Sequence, residues 1–336
     1  MAEQLKWGIL GNANIARVCV IPAIQKSTNS TVHALATRSP DAAGQVVAEN
    51  KIPHIYDNYD KLLTDPEIQI VYIPLPNHLH HPWTLKALKA GKHVLCEKPL
   101  ACNADQAREM VDAARESGLL LMEAFMYRFH PRSRRIKEMV VKGSIGIPCL
   151  MRSAFCFHMD DQLLSVGEGA RLKQEMGGGA LLDVGCYSVS MARWLFGEEP
   201  TRVQGQAVYH PGGVDIHFVG SLRFADDGLA TMEASFISAL QQTFTVVGST
   251  AAIELPHNAF VPWEMDATFV VRARDEAQGT EHVIPGANQY RLMVEHFAGA
   301  VFGKTPLAYA PDESVLNMKV LDALAQAAQS GRTIDL

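Results

Sequence analysis

Three short stretches of this chain carry residue types that do chemistry. Glu97-Lys98-Pro99 follows the apolar run His93-Val94-Leu95-Cys96, which reads as a strand. Open parallel sheets bind ligands at the ends of their strands, and a proline restricts the residue before it to extended backbone. The Lys98 ammonium is therefore aimed. The second stretch runs from Met176 through Gly177-Gly178-Gly179-Ala180-Leu181-Leu182-Asp183-Val184-Gly185-Cys186-Tyr187. Its glycines permit close backbone approach and a helix pattern follows, with Asp183 and Tyr187 four apart on one face. Hydride transfer from a carbinol requires removal of the hydroxyl proton. A phenol with its ordinary pKa of about 10 is a poor base at neutral pH, but a nearby ammonium stabilises the phenolate. Lys98 can supply that ammonium, and Asp183 can orient a polyol or the Lys98 head. Taken alone, the Asp183 and Tyr187 spacing is also ordinary surface-helix chemistry.

The third stretch is Gly8-Ile9-Leu10-Gly11-Asn12-Ala13-Asn14-Ile15-Ala16, between the first strand and the first helix pattern. It approximates the dinucleotide fingerprint G-x-G-x-x-G/A. Gly11 takes the tight turn, Ala13 stands in place of the second glycine, and Ala16 allows close helix packing. Asn12, Asn14 and Ile15 complete the loop. A tight turn without a ligand remains the alternative for these residues alone. The second strand ends in Thr37-Arg38-Ser39, where NAD-binding sheets usually place an acid for the ribose. Arg38 offers a planar fork for a 2′-phosphate, with hydroxyls on either side. NADP is expected, with NAD as the alternative. In Ile73-Pro74-Leu75-Pro76-Asn77-His78-Leu79-His80, two prolines stiffen a turn. Leu75, Asn77 and His80 either wall the nicotinamide-ribose pocket, or Asn77 simply caps the next helix.

These stretches need elements to hold them. Up to about residue 125, strand patterns at 7–10, 31–37, 70–73, 93–96 and 119–122 alternate with helix patterns at 15–26, 41–50, 82–90 and 104–117. That alternation means right-handed crossovers and a parallel sheet. After about 145, strand runs follow one another at 148–157, 201–209, 216–224, 229–235, 244–247, 251–255 and 268–272. This predicts a mostly antiparallel sheet with helices 179–195, 289–301 and 312–330 on one face. The division is a Rossmann domain over 1–125 and an α+β substrate and oligomerisation domain over 126–336. The uncovered sheet face, with Ile253-Glu254-Leu255, is the expected homodimer or homotetramer contact.

Composition sets the outer limits. The chain has 336 residues, 48% hydrophobic and 20% charged, with a formal net charge of −6. That balance disfavours a nucleic-acid surface, and no apolar run reaches the roughly 18 residues that span a bilayer. The N-terminus lacks a signal-peptide pattern. Six cysteines without C-x-x-C spacing read as reduced thiols in a cytoplasmic protein. His78, His80 and His81 lack metal-ligand spacing, so no metal is expected.

The residues quoted above also carry a resemblance. Gly8-Ile9-Leu10-Gly11, Glu97-Lys98-Pro99 and the stretch from Gly177 to Tyr187 resemble the glucose-fructose oxidoreductase and inositol dehydrogenase family (Gfo/Idh/MocA), essentially end to end. The resemblance implies NAD- or NADP-dependent oxidation or reduction of sugars, cyclitols and related diols. It implies Lys98, Asp183 and Tyr187 as the catalytic set, with Glu97 and Lys98 beside the nicotinamide. Many members carry histidine where this chain has Tyr187. Tyrosine there, with Met122 to Pro131 and Arg171-Leu172, resembles the NADP-dependent D-xylose dehydrogenase and dimeric dihydrodiol dehydrogenase branch. In that branch Arg128 would line the cofactor cleft, and Arg171, Asp183 and Phe157 would face the substrate. Two alternatives stand: a ketoreductase of a deoxysugar pathway, and a non-catalytic NADP sensor, which would need none of Lys98, Asp183 and Tyr187.

Overall fold

The computed structural model describes residues 4–336. Its contacts divide the chain into two units. One contains residues up to 126 together with 288–315, and the other contains 127–287 with 316–336.

In the first unit, six strands form a wholly parallel sheet. They are β1 (Leu5–Leu10), β2 (Ser30–Ala36), β3 (His54–Tyr56), β4 (Ile70–Ile73), β5 (His93–Cys96) and β6 (Leu121–Glu123), in spatial order β3-β2-β1-β4-β5-β6. This is the Rossmann order, with the switch point between β1 and β4. All of β4 and nearly all of β5 are buried, as helices on both faces of a parallel sheet require. The crossover Ala104–Ser117 shows how local sequence sets the limits. Asn103 accepts the Gln106 N–H at its start, and Gly118 at φ 66° ends it. The expected helix over 15–26 is instead a π-turn, Ala16–Val20, followed by the α-helix Ile21–Gln25. Pro22 has no N–H to return to the preceding turn. The sequence reading missed β3 and the single-turn helix Tyr59–Leu63, both too short for a periodic pattern.

A long-range contact corrects the domain division. The helix Gln289–Val301 does not cover the second sheet. It packs on the first unit, where Phe297 meets the fully buried Trp7 ring edge-on at 6.0 Å. Nearby, Asn29 donates to the Glu295 carbonyl at 2.8 Å.

The second unit holds nine strands: β7 (Pro148–His158), β8 (Pro200–Tyr209), β9 (Asp215–Phe224), β10 (Leu229–Ser235), β11 (Ile237–Gly248), β12 (Ala251–Leu255), β13 (Ala267–Ala273), β14 (Thr280–Ile284) and β15 (Ile334–Asp335). Their order is β14-β13-β12-β11-β7-β10-β9-β8-β15. Every pair is antiparallel except β7 with β10. One row across the sheet, Ile253, Val246, Met151, Ala230, Leu222 and Val203, is essentially fully buried. The next row, Glu254, Thr245, Arg152, Thr231, Ser221 and Gln204, points to the opposite face, where Arg152, Thr231 and Gln204 are exposed. Ile253 and Leu255 therefore belong to the core, and of that tripeptide Glu254 alone lies on the open face. The helix Cys186–Phe196 covers β7 and β10.

The helix Pro311–Ser330 closes the same face over β8 and β9, where two glycines make room for it. Gly205 and Gly220 sit opposite each other. A Cβ on Gly205 would lie 2.8 Å from the Leu324 carbonyl oxygen and 2.8 Å from Phe218, and one on Gly220 would lie 2.9 Å from a Leu324 methyl. The backbone oxygen cannot rotate away. Gly205→Val should cost about 1–3 kcal/mol by overpacking, read as a lower melting temperature. An unchanged melting temperature would refute this account of the helix docking.

Candidate active site

In the first unit, the residues expected to meet a dinucleotide gather at the switch point. Gly11 has φ 103°, and a Cβ there would strike Leu75 at 2.9 Å, so the glycine is required. Its N–H donates to the Ala36 carbonyl at 2.7 Å, tying the loop to the end of β2. Asn12 donates to the Ala42 carbonyl at 3.2 Å, while its buried Oδ1 has no partner. The Ala13 carbonyl accepts the Arg17 N–H, and Asn14 Oδ1 accepts from the Arg17 side chain. Ala16 is fully buried where close packing was expected. Thr37 Oγ1 accepts the Ser39 N–H at 3.2 Å, shaping the turn that exposes Arg38.

Tyr59, which the sequence reading did not single out, completes this end. Burial raises its phenol pKa, and the Arg38 guanidinium nearby opposes that rise. Its ring stands edge-on to Trp83 at 4.9 Å, and Lys86 sits 4.2 Å above that indole. The Tyr59 oxygen lies 3.7 Å from where a Gly11 Cβ would be. The Tyr59 hydroxyl and the Arg38 guanidinium both carry donors that an anionic group can use. A glycine cradle, a buried unpaired amide oxygen and an exposed guanidinium fit a phosphorylated dinucleotide.

The Glu97-Lys98-Pro99 turn is braced from several sides. The Tyr72 hydroxyl donates to Glu97 Oε1 at 2.6 Å. Burial, then the Glu97 charge, hold Tyr72 well above an ordinary phenol, so it remains a donor. The Lys98 N–H reaches Glu97 Oε2 at 3.3 Å, the Lys98–Pro99 bond is cis, and the Leu100 N–H donates to Glu123 Oε1 at 2.8 Å. His80 corrects an expectation. It does not face an open pocket. It is fully buried, with Nδ1 2.9 Å from the Pro99 carbonyl and Nε2 2.7 Å from the Leu75 carbonyl. Burial lowers its pKa to about 4 despite the two carbonyls, with Lys98 adding to the shift. A neutral ring donates to one carbonyl at a time, so His80 ties the Leu75 turn to the lysine turn. Asn77 opens the short turn Asn77–Leu79.

In the second unit, the glycine run explains itself. A Cβ on Gly178 would lie 2.5 Å from the Arg171 carbonyl oxygen, which also accepts the Gly179 N–H at 2.9 Å. Gly179 has φ 116°, and a Cβ there would fall 2.3 Å from Asp215 Oδ1. Asp215 was not found by sequence reasoning. Its other oxygen accepts the Leu181 N–H at 2.7 Å, at the start of the π-turn Leu181–Gly185. Burial raises its pKa to about 6, against the opposing pull of those backbone N–H groups.

The turn delivers Asp183 and Tyr187. Arg171 Nε donates to Asp183 Oδ2 at 2.6 Å, with Asp183 15% exposed and Arg171 57% exposed. Asp183 first, and Tyr187 after it, favour the charged guanidinium. By reciprocity the guanidinium favours a charged partner beside it. Arg171 also lies 6.0 Å above the Phe157 ring. Tyr187 is 5% exposed among Phe155, Phe260 and Tyr127, at 5.2, 5.3 and 6.0 Å between ring centres. Arg128, 7% exposed, donates to Ser190 Oγ at 3.0 Å and lies 5.4 Å from the Trp194 ring centre, both on the helix that carries Tyr187. Phe260 was not anticipated; it sits in an irregular segment with no pattern to flag it. Among the described residues, no group of three or more His, Cys, Asp or Glu is placed to hold a metal ion, and no helix is long and apolar enough to cross a membrane.

Residues 5–125 match the family profile described as an oxidoreductase family with an NAD-binding Rossmann fold, and 133–254 match the GFO/IDH/MocA C-terminal domain. The chain is 37% identical to D-xylose 1-dehydrogenase (NADP(+)) 2 of Haloferax volcanii, over 99% of this chain and 100% of that protein. It is 32% identical to trans-1,2-dihydrobenzene-1,2-diol dehydrogenase of Xenopus laevis, over 76% and 77%. Among solved structures, a 3-ketoreductase from Actinomadura kijaniata in complex with NADP and TDP-benzene superposes with a TM-score of 0.88 at 28% identity, covering 97% of this chain and 98% of that one.

The buried titratable groups make stability depend on pH. His80 and His130 both have pKa values lowered to about 4, by burial first, with Arg132 adding to the shift at His130. Each contributes stability that is present above the unfolded value near 6.5 and lost as pH falls through about 4, on the order of 3 kcal/mol apiece. Asp215, raised to about 6, works the other way, favouring the fold below its unfolded value and losing that contribution as pH rises through about 6. It offsets roughly one histidine. The melting temperature should therefore fall between pH 6.5 and 4. His130→Asn keeps a helix-capping side chain and should flatten that fall; parallel curves for the two proteins would rule out His130 as a source.

Proposed function

Because the chain belongs to the GFO/IDH/MocA oxidoreductase family, we propose that it moves a hydride between NADP and the carbinol carbon of an aldose or a cyclic vicinal diol, with Tyr187 exchanging the hydroxyl proton. The observation that carries this reading is the setting of Tyr187, a nearly buried phenol walled by rings, with a guanidinium paired to Asp183 one helical turn away. Such a phenol is shielded from bulk water; burial opposes its ionisation, and the cationic charge of Arg171 acts against that opposition.

When bound, the dinucleotide supplies the hydride acceptor or donor. In the oxidative direction, Tyr187 takes the hydroxyl proton as the carbon–hydrogen electron pair leaves as hydride and the carbonyl forms. In the reductive direction the same oxygen returns the proton. Lys98 tunes the phenol, Asp183, held by Arg171, orients a substrate hydroxyl, and Phe157 with Arg171 offers a ring and a donor to a sugar. Arg128 serves the site through Ser190 on Tyr187's helix. Gly11, Asn12, Ala13, Asn14 and Ile15 hold the pyrophosphate, and Arg38 with Thr37, Ser39 and Tyr59 selects the 2′-phosphate. Leu75, Asn77, Glu97 and Lys98 border the nicotinamide ribose, and His80 supports them from behind. The relative named for D-xylose and NADP makes a pentose with NADP the first pair to assay. The six free thiols suit a reducing, cytoplasmic compartment.

A panel of aldoses and trans-diols, assayed with NADP and NAD in parallel, tests the activity. Lys98→Met and Tyr187→Phe should lower kcat on the order of 10²–10⁴-fold while the Kd for NADPH, read by fluorescence titration, stays nearly unchanged. Full turnover in either variant would refute the proton role. Arg38→Ala should weaken NADPH at least about tenfold and spare NADH, with Tyr59→Phe weaker in the same direction. Equal losses for both dinucleotides would refute the 2′-phosphate reading.

We further propose that the open face of the nine-stranded sheet is a contact between copies of the chain. Exposed Val208, Val219 and Leu229 lie there among Arg152, Glu233 and Arg223. Arg152→Glu should shift the protein toward monomer in sedimentation or light scattering; a wild-type monomer at micromolar concentration would refute it.

A further inference from the structure

The sequence Phe129-His130-Pro131-Arg132 has a structural consequence that the reaction chemistry does not use. Arg132 begins the helix Pro131–Val141, with its N–H accepted by the capping His130 Nδ1 at 3.1 Å. Its side chain is 1% exposed and faces no carboxylate. Nη2 donates to the Asn258 carbonyl at 2.6 Å and to the Ala259 carbonyl at 2.8 Å. Asn258 is left-handed, at φ 50°, so the two carbonyls converge in a tight turn. The N–H groups on the other edge of this turn are held by one residue of β11: Ala259 donates to the Gln242 carbonyl at 2.9 Å, and Val261 donates to Gln242 Oε1 at 3.0 Å. The residue between these anchors is Phe260. Its ring is fully buried, nearly parallel to Phe155 at 5.6 Å and 6°, and 5.3 Å from Tyr187.

A buried guanidinium without a counter-ion is costly. Desolvation lowers even the Arg132 pKa to about 10, and carbonyl dipoles recover part of the loss of hydration. Stability alone is a poor reason to keep a charge there, since apolar replacement of buried ions is often neutral or better. The guanidinium fork does supply two donors converging on consecutive carbonyls, which fixes where the following ring stands.

We propose that Arg132 is a positioning residue for proton transfer: it fixes the 258–260 turn so that Phe260 holds the Tyr187 ring in its reactive orientation. The inference rests on Tyr187 being the acid–base group and adds that its aim is set from Arg132. A misplacement of about 1 Å at a reacting group can cost on the order of 100-fold in rate.

The test uses the full-length protein with whichever aldose or diol it turns over. Arg132→Met should lower kcat roughly tenfold or more, with KM for substrate and Kd for NADPH within about twofold. Arg132→Lys, whose ammonium can still donate to both carbonyls, should recover most of that loss. Phe260→Leu, which leaves Arg132 in place, should reproduce the kcat loss, and it decides the matter if Arg132→Met does not fold. Wild-type kcat in Phe260→Leu, or in a folded Arg132→Met, overturns the proposal. So does a lysine variant no better than the methionine one. Tyr187→Phe separates the two levels. If it is inactive while Arg132→Met and Phe260→Leu keep wild-type kcat, only the positioning role falls. If Tyr187→Phe is fully active, the acid–base reading falls and this inference with it.

Discussion

At Gly178, a methyl group would stand 2.5 Å from the carbonyl oxygen of Arg171. The second unit's chemistry is built around that approach. The same carbonyl accepts the Gly179 N–H, so the segment bearing Arg171 lies directly on the glycine turn, and its guanidinium can reach Asp183 only twelve residues later in the chain. Asp215 closes the other side, with one oxygen where a Gly179 side chain would be and the other on the Leu181 N–H. The π-turn that follows changes the rotation per residue, so Asp183 and Tyr187 leave it in an arrangement that a regular helix would not give. One close backbone contact thus fixes an ion pair, a cap and a phenol together.

The first unit solves a similar problem with different chemistry. Its two turns, after β1 and after β5, are held by groups that cannot move without leaving a polar atom unpaired. The Leu75 turn packs against Gly11 from one side and is joined to Pro99 through His80 on the other. Glu97 takes its hydrogen bond from Tyr72, a phenol kept neutral by burial. The lysine between Glu97 and Pro99 thus projects from a turn whose flanking carbonyl and carboxylate are both occupied. A side chain with four rotatable carbons gains direction from such a base, because its backbone has nowhere else to go.

Much of this was legible in the sequence, and the pattern of what was not has a physical cause. The Gly11 turn, the Glu97-Lys98-Pro99 turn and the glycine run from Gly177 to Gly179 announce themselves because glycine and proline report backbone geometry locally. The parallel sheet and the antiparallel one follow from periodicity. Phe260, Arg132, Asp215 and Tyr59 lie outside any motif, and their partners are 34 to 136 residues away or, for Tyr59, near Arg38 across a loop. The helix Gln289–Val301 was assigned to the wrong unit for the same reason. Its apolar face fits either sheet by pattern, and the contact between Phe297 and Trp7 chooses. His80 misled in the opposite way, since a histidine beside a binding loop resembles a ligand contact until both of its nitrogens are found against carbonyls.

Several buried polar groups around the site share a cost. Arg132 is a charge buried without a counter-ion, Asp215 is a carboxyl raised by burial, and His80 and His130 are imidazoles held neutral inside the protein. Each carries a desolvation cost that an apolar residue would not. Each also meets a backbone carbonyl or N–H in or beside a turn that helps hold Lys98, Asp183 or Tyr187. A hydrophobic side chain can fill such a position, but it cannot specify the direction of a peptide plane, because dispersion contacts are insensitive to orientation and hydrogen bonds are not. Where a reaction depends on how a few turns are oriented, buried polar groups are the available means of fixing them. The lost stability is then concentrated around the site, while the two sheets, packed almost wholly with apolar side chains, carry the fold.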